Sequence, residues 1–189
     1  MVSIDGKRLP PEARPAAEVY ERAAAGDDFA LTDSIGYLVR DAHRVFLRAM
    51  QMRVSDTEIT MGMWFFLRIL WQEEGISQRD LSRRIRMMEP TTVTALRLME
   101  RRGLVYRERD TSDRRRSLVY LTDRGRALRA ELLPLAAETN LAAIAGLNSG
   151  EILNLRRMLT AVIANLDRDV ASRGADPGLV EDDIADHDP

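Results

Sequence analysis

Residues 77–121 read SQRDLSRRIRMMEPTTVTALRLMERRGLVYRERDTSDRRRSLVYL, and the order of signals within them decides the fold. Ser77 followed by Asp80 supplies the N-cap and N3 acid of a capping box, which opens a short helix through about Arg86. A turn at Met87 to Glu89 follows. Pro90 suits the first turn of the next helix, where its missing N–H costs nothing, and the helical pattern PTTVTALRLMERR continues until Gly103 stops it. The pattern then alternates: LVYRER and SLVYL read as strands, with DTSDRR as the polar tip of a β-hairpin. A short helix, a tight turn, a second helix and a hairpin, in that order, compose a winged helix-turn-helix whose second helix is shaped for a major groove.

Outward from this module the chain reads as helical. Met61 to Glu74 is apolar on nearly every side (MGMWFFLRILW), as expected of a helix lying between other elements, and Gly75 closes it. Upstream, Ile35, Leu38, Val39, Ala42, Phe46, Ala49 and Met50 recur at helical spacing, which predicts a helix from Thr32 or Asp33 to about Arg53. Residues 1–30 form an arm: a Pro-rich start, then a short helical pattern from about Ala16 to Ala25 that Gly26 ends. Downstream, Thr122 caps a long helix reaching about Leu147, with Pro134 as a kink or break, and Asn148-Ser149-Gly150 interrupts it. The last helix, Glu151 to about Ala171, carries Ile152, Leu155, Leu159, Val162, Leu166 and Val170 in alternating steps of three and four, a coiled-coil type of seam. Residues 172–189 form an acidic tail expected to be disordered.

The expected fold is therefore mainly α with a small β-hairpin wing: a winged module over 59–124, and helices over 31–58 and 125–171 whose apolar stripes call for a partner. Composition narrows the function. The 189 residues include no cysteine, which removes disulfides, thiolate metal sites and cysteine nucleophiles. The only histidines are His43 and His187, too few for a histidine metal site, and no Gly-rich phosphate loop or Cys/His pair appears. The reading predicts no catalysis, metal or cofactor. No apolar run approaches the length of a membrane span, and MVSIDGKRLPPEARP lacks the features of an export signal, so a cytoplasmic protein is expected. The nine methionines, at helical spacing, read as gap fillers rather than oxidation sensors.

Charge is unevenly spread. Residues 75–129 hold 15 arginines against 7 acids, while the whole chain has a formal net charge of −2. A basic module inside an acidic chain is the footprint of a nucleic-acid surface, although an acidic partner would be served equally. On a helical wheel Thr92, Leu96, Met99 and Gly103 gather on one side and Thr91, Thr94, Leu98 and Arg101 near the other. The first set should face the core and the second the DNA. The candidate DNA contacts are Ser77 and Gln78 at the opening of the first helix, Thr91, Thr92, Thr94, Arg97 and Arg101 on the second, and Arg114, Arg115 and Arg116 on the wing. Thr92 is included although the wheel turns it inward. Threonine hydroxyls and methyls suit base edges, helix-end arginines suit phosphates, and wing arginines suit a narrow minor groove. Asp110 and Asp113 are assigned a structural role, holding the wing arginines by carboxylate pairing.

SQRDLSRRI, PTTVTALRLMERRGLVYRERD, the tip TSDRR and the exit LTDRGRAL together resemble the multiple-antibiotic-resistance regulator (MarR) family, weakly over residues 33–171 and strongly over 77–128. The resemblance implies an obligate homodimer with interlocked terminal helices, two winged modules on a pseudopalindromic operator in double-stranded DNA, and repression by occupancy. It also matches Thr91 and Thr94 to recognition-helix positions and Arg114 to the wing arginine placed in the minor groove. Position 94 often carries a long basic side chain in the family and Leu98 stands where a basic residue is common, so base preference does not transfer.

Proteins of this family often bind aromatic acids or their coenzyme A thioesters between the dimer helices and the winged module. Arg40, His43, Arg44, Met63 and Trp64 are the candidates for such an effector. Against this, Met61, Met63, Trp64, Phe65 and Phe66 read as ordinary core, and Arg40 and His43 as partners across a dimer or of Asp41 and Glu58. The alternative to a DNA-binding regulator is a dimeric sensor or interaction protein that uses the same arginines for an anionic ligand or an acidic protein.

Overall fold

The computed structural model describes residues 14–113 and 116–174. Residues 1–13 of the arm, Arg114 and Arg115 of the wing, and residues 175–189 of the acidic tail lie outside the described residues. The chain divides into two compact units, residues 1–46 and 47–189.

In the first unit, α1 spans Arg14–Ala24 and stops before Gly26, which adopts φ 107. Tyr20 meets Phe29 edge-on at 5.6 Å between ring centroids, and its hydroxyl donates to the Asp33 carbonyl. After a 3-10 turn at Leu31–Asp33 comes α2, Ile35–Val54, which runs on into the second unit. The helix starts later than Thr32 or Asp33 because Ser34 does the capping: its Oγ accepts from the Tyr37 N–H at 3.2 Å.

The second unit holds the core. Thr60 caps α3, Met61–Leu70, whose Met63, Trp64, Phe66, Leu67 and Leu70 are all buried. This helix ends at Leu70, with Trp71 as its C-cap, rather than at Glu74. The Trp71 indole N–H donates to the Gly125 carbonyl at 2.9 Å, and Glu74 is recruited elsewhere: one carboxylate oxygen accepts from the Leu121 N–H at 3.0 Å, while Arg126 donates to both. Gly75, at φ 73, turns the chain into a strand that the alternation rule did not anticipate, β1 at Ile76–Ser77. Then follow α4 (Gln78–Ile85), α5 (Glu89–Arg101), β2 (Val105–Arg109) and β3 (Ser117–Leu121). The wing is thus a three-stranded antiparallel sheet in the order β1-β3-β2, with Ile76 opposite Val119 and Arg107 opposite Val119 on the other side.

Thr122 caps α6, Asp123–Ala143, which carries Pro134 within it and ends ahead of Gly146 (φ 87), short of the expected Leu147. Gly125 in its first turn explains the Leu-Thr-x-x-Gly element. A Cβ there would lie 2.2 Å from the Leu104 carbonyl oxygen, so only glycine lets α6 leave the sheet at this closeness. Asn148 caps α7, Ser149–Ser172, through a complete capping box with Glu151. The expected seam lies along it, but α7 contains no buried residue: Leu155, Leu159 and Leu166 stand 37%, 42% and 60% exposed.

Candidate nucleic-acid interface

The helix-turn-helix is held as one body by its own side chains. Ser77 Oγ accepts from the Asp80 N–H at 3.1 Å and donates to the Asp80 carboxylate at 2.5 Å, so it is spent on capping α4 and is 6% exposed. The turn between α4 and α5 passes through Arg86 in the left-handed region (φ 63, ψ 39), pinned by the Arg86 N–H to the Arg83 carbonyl and the Met87 N–H to the Ser82 carbonyl. Leu81 and Ser82 of α4 and Leu96 and Met99 of α5 are fully buried against each other's surroundings, which fixes the second helix on the first.

On α5 the inward placing of Thr92, Leu96 and Met99 matches their burial, but Gly103, expected beside them, is exposed and Leu98, expected on the DNA side, packs against the core. Thr92 is completely buried together with Leu96 and Met99, so it presents nothing to a ligand and leaves the candidate DNA set. Its Oγ1 has no hydrogen-bond partner among the described residues. Thr91 is half-buried, Thr94 is exposed with its hydroxyl donated back to the Pro90 carbonyl at 3.2 Å, and Arg97 and Arg101 are exposed. Arg97 and Arg101 form no ion pair or hydrogen bond among the described residues. Arg101 lines an open cleft of about 530 Å³ with Arg102, Arg124, Glu58 and Thr57, at the end of α5 away from the turn.

Several charges that composition counted as a DNA footprint are neutralised internally. Arg107 reaches back to Glu100 at 2.6 and 2.8 Å and donates to the Gln78 side-chain Oε1 at 3.3 Å, tying α4, α5 and the wing together; Gln78 is therefore engaged rather than free. Hydrogen bonding to Glu100 holds the Arg107 guanidinium more firmly protonated than usual. Arg116 donates to Asp80 at 3.2 Å. At the wing tip the Asp110 carboxylate accepts from the Ser112 hydroxyl at 2.6 Å and N–H at 2.8 Å, which lowers its pKa from the ordinary value. Asp110 thus shapes the tip through Ser112, while the Asp113 carbonyl accepts from the Arg116 N–H at 2.8 Å. Arg109, exposed at the end of β2 and without a partner among the described residues, is a candidate contact that sequence reasoning passed over. It is the leading arginine of the Arg-x-x-x-Asp-Arg-Arg element at the hairpin.

The effector candidates divide between the two units. Arg40, His43 and Arg44 are exposed on α2 in the first, with the Arg40 guanidinium 4.7 Å from the Tyr37 ring centroid. Met63 and Trp64 belong to the core of the second, 2% and 8% exposed, Trp64 packing edge-on to Trp71 at 5.8 Å. The ordinary core reading of these two is correct, and they offer a ligand no open surface. Glu58 pairs with Arg124 at 2.6 Å. Among the described residues no group of acids and histidines is placed to hold a metal, and no helix is long and apolar enough to cross a membrane.

Two helices joined by a left-handed turn and backed by a small antiparallel sheet define a winged helix-turn-helix protein. The family model that matches, over residues 59–117, is that of the MarR family. The regulator TtmR of Methylorubrum extorquens is 30% identical over 118 residues, 62% of this chain and 60% of that protein, so less than two thirds of that relative's length is represented. A probable transcriptional regulator from Pseudomonas aeruginosa, known from its crystal structure, is 31% identical over 70% of this chain and 99% of its own, with a TM-score of 0.64. BpsR of Bordetella bronchiseptica, whose structure concerns regulation of its DNA binding by 6-hydroxynicotinic acid, is 25% identical over 72% of this chain and 97% of its own, with a TM-score of 0.67. Residues 59–117 thus carry a MarR-family domain, and members of that family are transcription regulators and not enzymes.

Proposed function

We propose that this chain is a homodimeric repressor that sets two winged modules on a pseudopalindromic operator and is released by a small aromatic acid or its coenzyme A thioester. The observation that carries the DNA-binding part is the two-faced α5. Thr92, Leu96 and Met99 are sealed into the core, while Thr94 and Arg97 stand exposed on the other side, with Arg97 and the wing's Arg109 unneutralised among the described residues. Thr91 and Thr94 then read base edges, Arg97 and Arg101 take phosphates, and Arg114, with Arg115 and Arg116 beside it, enters the minor groove.

The exposed leucines of α7 support a dimer through residues 31–58 and 125–171, since a seam of this spacing is stable only when covered. The effector class is supported by the 6-hydroxynicotinic acid that regulates the related BpsR, and by Arg40, His43 and Arg44, which supply cations for a carboxylate. A ligand that alters the separation of the two recognition helices weakens binding because half-sites about one DNA turn apart demand a fixed span.

The test is fluorescence anisotropy of the full chain with a duplex selected from a randomised library, across a salt series. Arg114→Ala is expected to lower affinity by about tenfold or more, and Arg97→Ala to flatten the logarithmic salt slope by about 1. Equal binding of selected and random duplexes by the parent protein would sink the operator reading.

A further inference from the structure

We propose that Asp167 and Arg86 form a strut that fixes the angle of the reading head against the dimer helices, which makes Asp167 a positioning residue for half-site spacing. This rests on the dimeric, DNA-binding function proposed above. Arg86 is the vertex of the helix-turn-helix, between α4 and α5. Among the described residues it is the one non-glycine residue at positive φ. Its guanidinium spends both terminal nitrogens on a single residue 81 positions away: Nη1 to Asp167 Oδ1 and Nη2 to Asp167 Oδ2, each at 2.6 Å.

Two parallel N–H···O bonds from a planar fork fix direction and plane as well as distance, which a lysine in the same place would not do. The Arg86 end is grounded in the turn, since its own backbone N–H and that of Met87 are bonded into the end of α4, while Asp167 sits near the C-terminal end of α7. A shift of the end of α7 is therefore delivered to the start of α5, the part of the recognition helix that carries Thr91 and Thr94. The location matters because α7 contributes no buried residue to its own chain. With no fully buried residue to anchor this helix, a bidentate ion pair is well placed to set its angle to the winged module. Side chains 43% and 32% exposed leave the pair partly hydrated, which suits a link that holds geometry rather than one that holds the fold.

The experiment compares the full-length parent, Asp167→Asn, and the reversed pair Arg86→Asp with Asp167→Arg; aspartate tolerates the left-handed conformation, so the reversal does not strain the turn. Affinity is measured for the duplex that the parent selects from a randomised library and for versions with the half-site spacer one base pair longer or shorter. Hydrogen–deuterium exchange of residues 86–88 and 165–172 is followed without DNA. Asp167→Asn is expected to weaken binding at the selected spacing about fivefold and much less at the shifted spacings, flattening the profile. Exchange in both segments should accelerate, and the reversed pair should restore both readouts. Faster exchange with an unchanged spacing profile overturns the positioning role, and unchanged exchange overturns the strut itself. A parent that selects no duplex removes the DNA-binding reading instead, and the exchange result then decides the strut alone.

Discussion

Helices α5 and α7 are both amphipathic, yet one is finished by its own chain and the other is not. α5 is 13 residues long and seals Thr92, Leu96 and Met99 completely; α7 is 24 residues long and seals nothing, leaving Leu153, Ile163 and Leu166 more than half exposed. An isolated helix is marginal in water and most helical stability in proteins comes from packing of the apolar face. The reading head is therefore a folding unit in its own right, whereas α7 leaves its apolar face largely uncovered by its own chain.

The largest effect that sharpens this contrast is expected from Leu155→Arg combined with Leu159→Arg. The pair should abolish the proposed dimer in sedimentation analysis and strip helical circular dichroism from α7 while the winged module stays folded; a variant that remains dimeric would break the comparison. Next comes Gly125→Ala. The added methyl meets the Leu104 carbonyl, which belongs to backbone and cannot yield, so the winged module should lose about 3 kcal/mol in chemical denaturation.

Glu74→Gln is expected to cost about 1 kcal/mol at neutral pH, allowing for screening of the partly exposed pair. Here the sign is informative. Hydrogen bonding to Arg126, chiefly, with the Leu121 N–H, outweighs burial and lowers the Glu74 pKa below its ordinary 4.5 in the fold, so its stabilisation is full above that value and lost as the pH falls through the depressed one. The substitution should thus flatten the acid limb of the stability profile, and an unaltered limb would refute the assignment. Smallest is Thr92→Val, which removes a buried hydroxyl without a partner and should raise stability by up to about 1 kcal/mol.

The same contrast explains what the sequence made legible. Elements closed by local chemistry were readable: Thr122 caps where expected, Pro90 opens α5, and Gly103 ends it at φ 64; Asn148, read only as part of a break, proves to be the cap of α7. Elements decided at a distance were not. β1 is two residues long, too short for any period, and exists because Val119 and Leu118 lie opposite. The last turn expected of α3 is lost to Trp71 and Glu74, whose partners Gly125, Leu121 and Arg126 are 47 to 54 residues away. Within the candidate interface, the wheel placed Thr92 inward, but residue type kept it in the DNA set. Counting arginines also overstated the free positive surface, because acid partners such as Glu100 for Arg107 and Asp80 for Arg116 come from other elements.

The packing of Trp64 against Trp71 has a practical consequence. These are the only tryptophans of the chain, they lie 5.8 Å apart, and both sit in or beside the helix that backs the reading head. Intrinsic fluorescence is therefore a native optical gauge of the winged module that is blind to α7. Paired with ellipticity, it separates the melting of the winged module from that of the long C-terminal helix, with no label added to the protein.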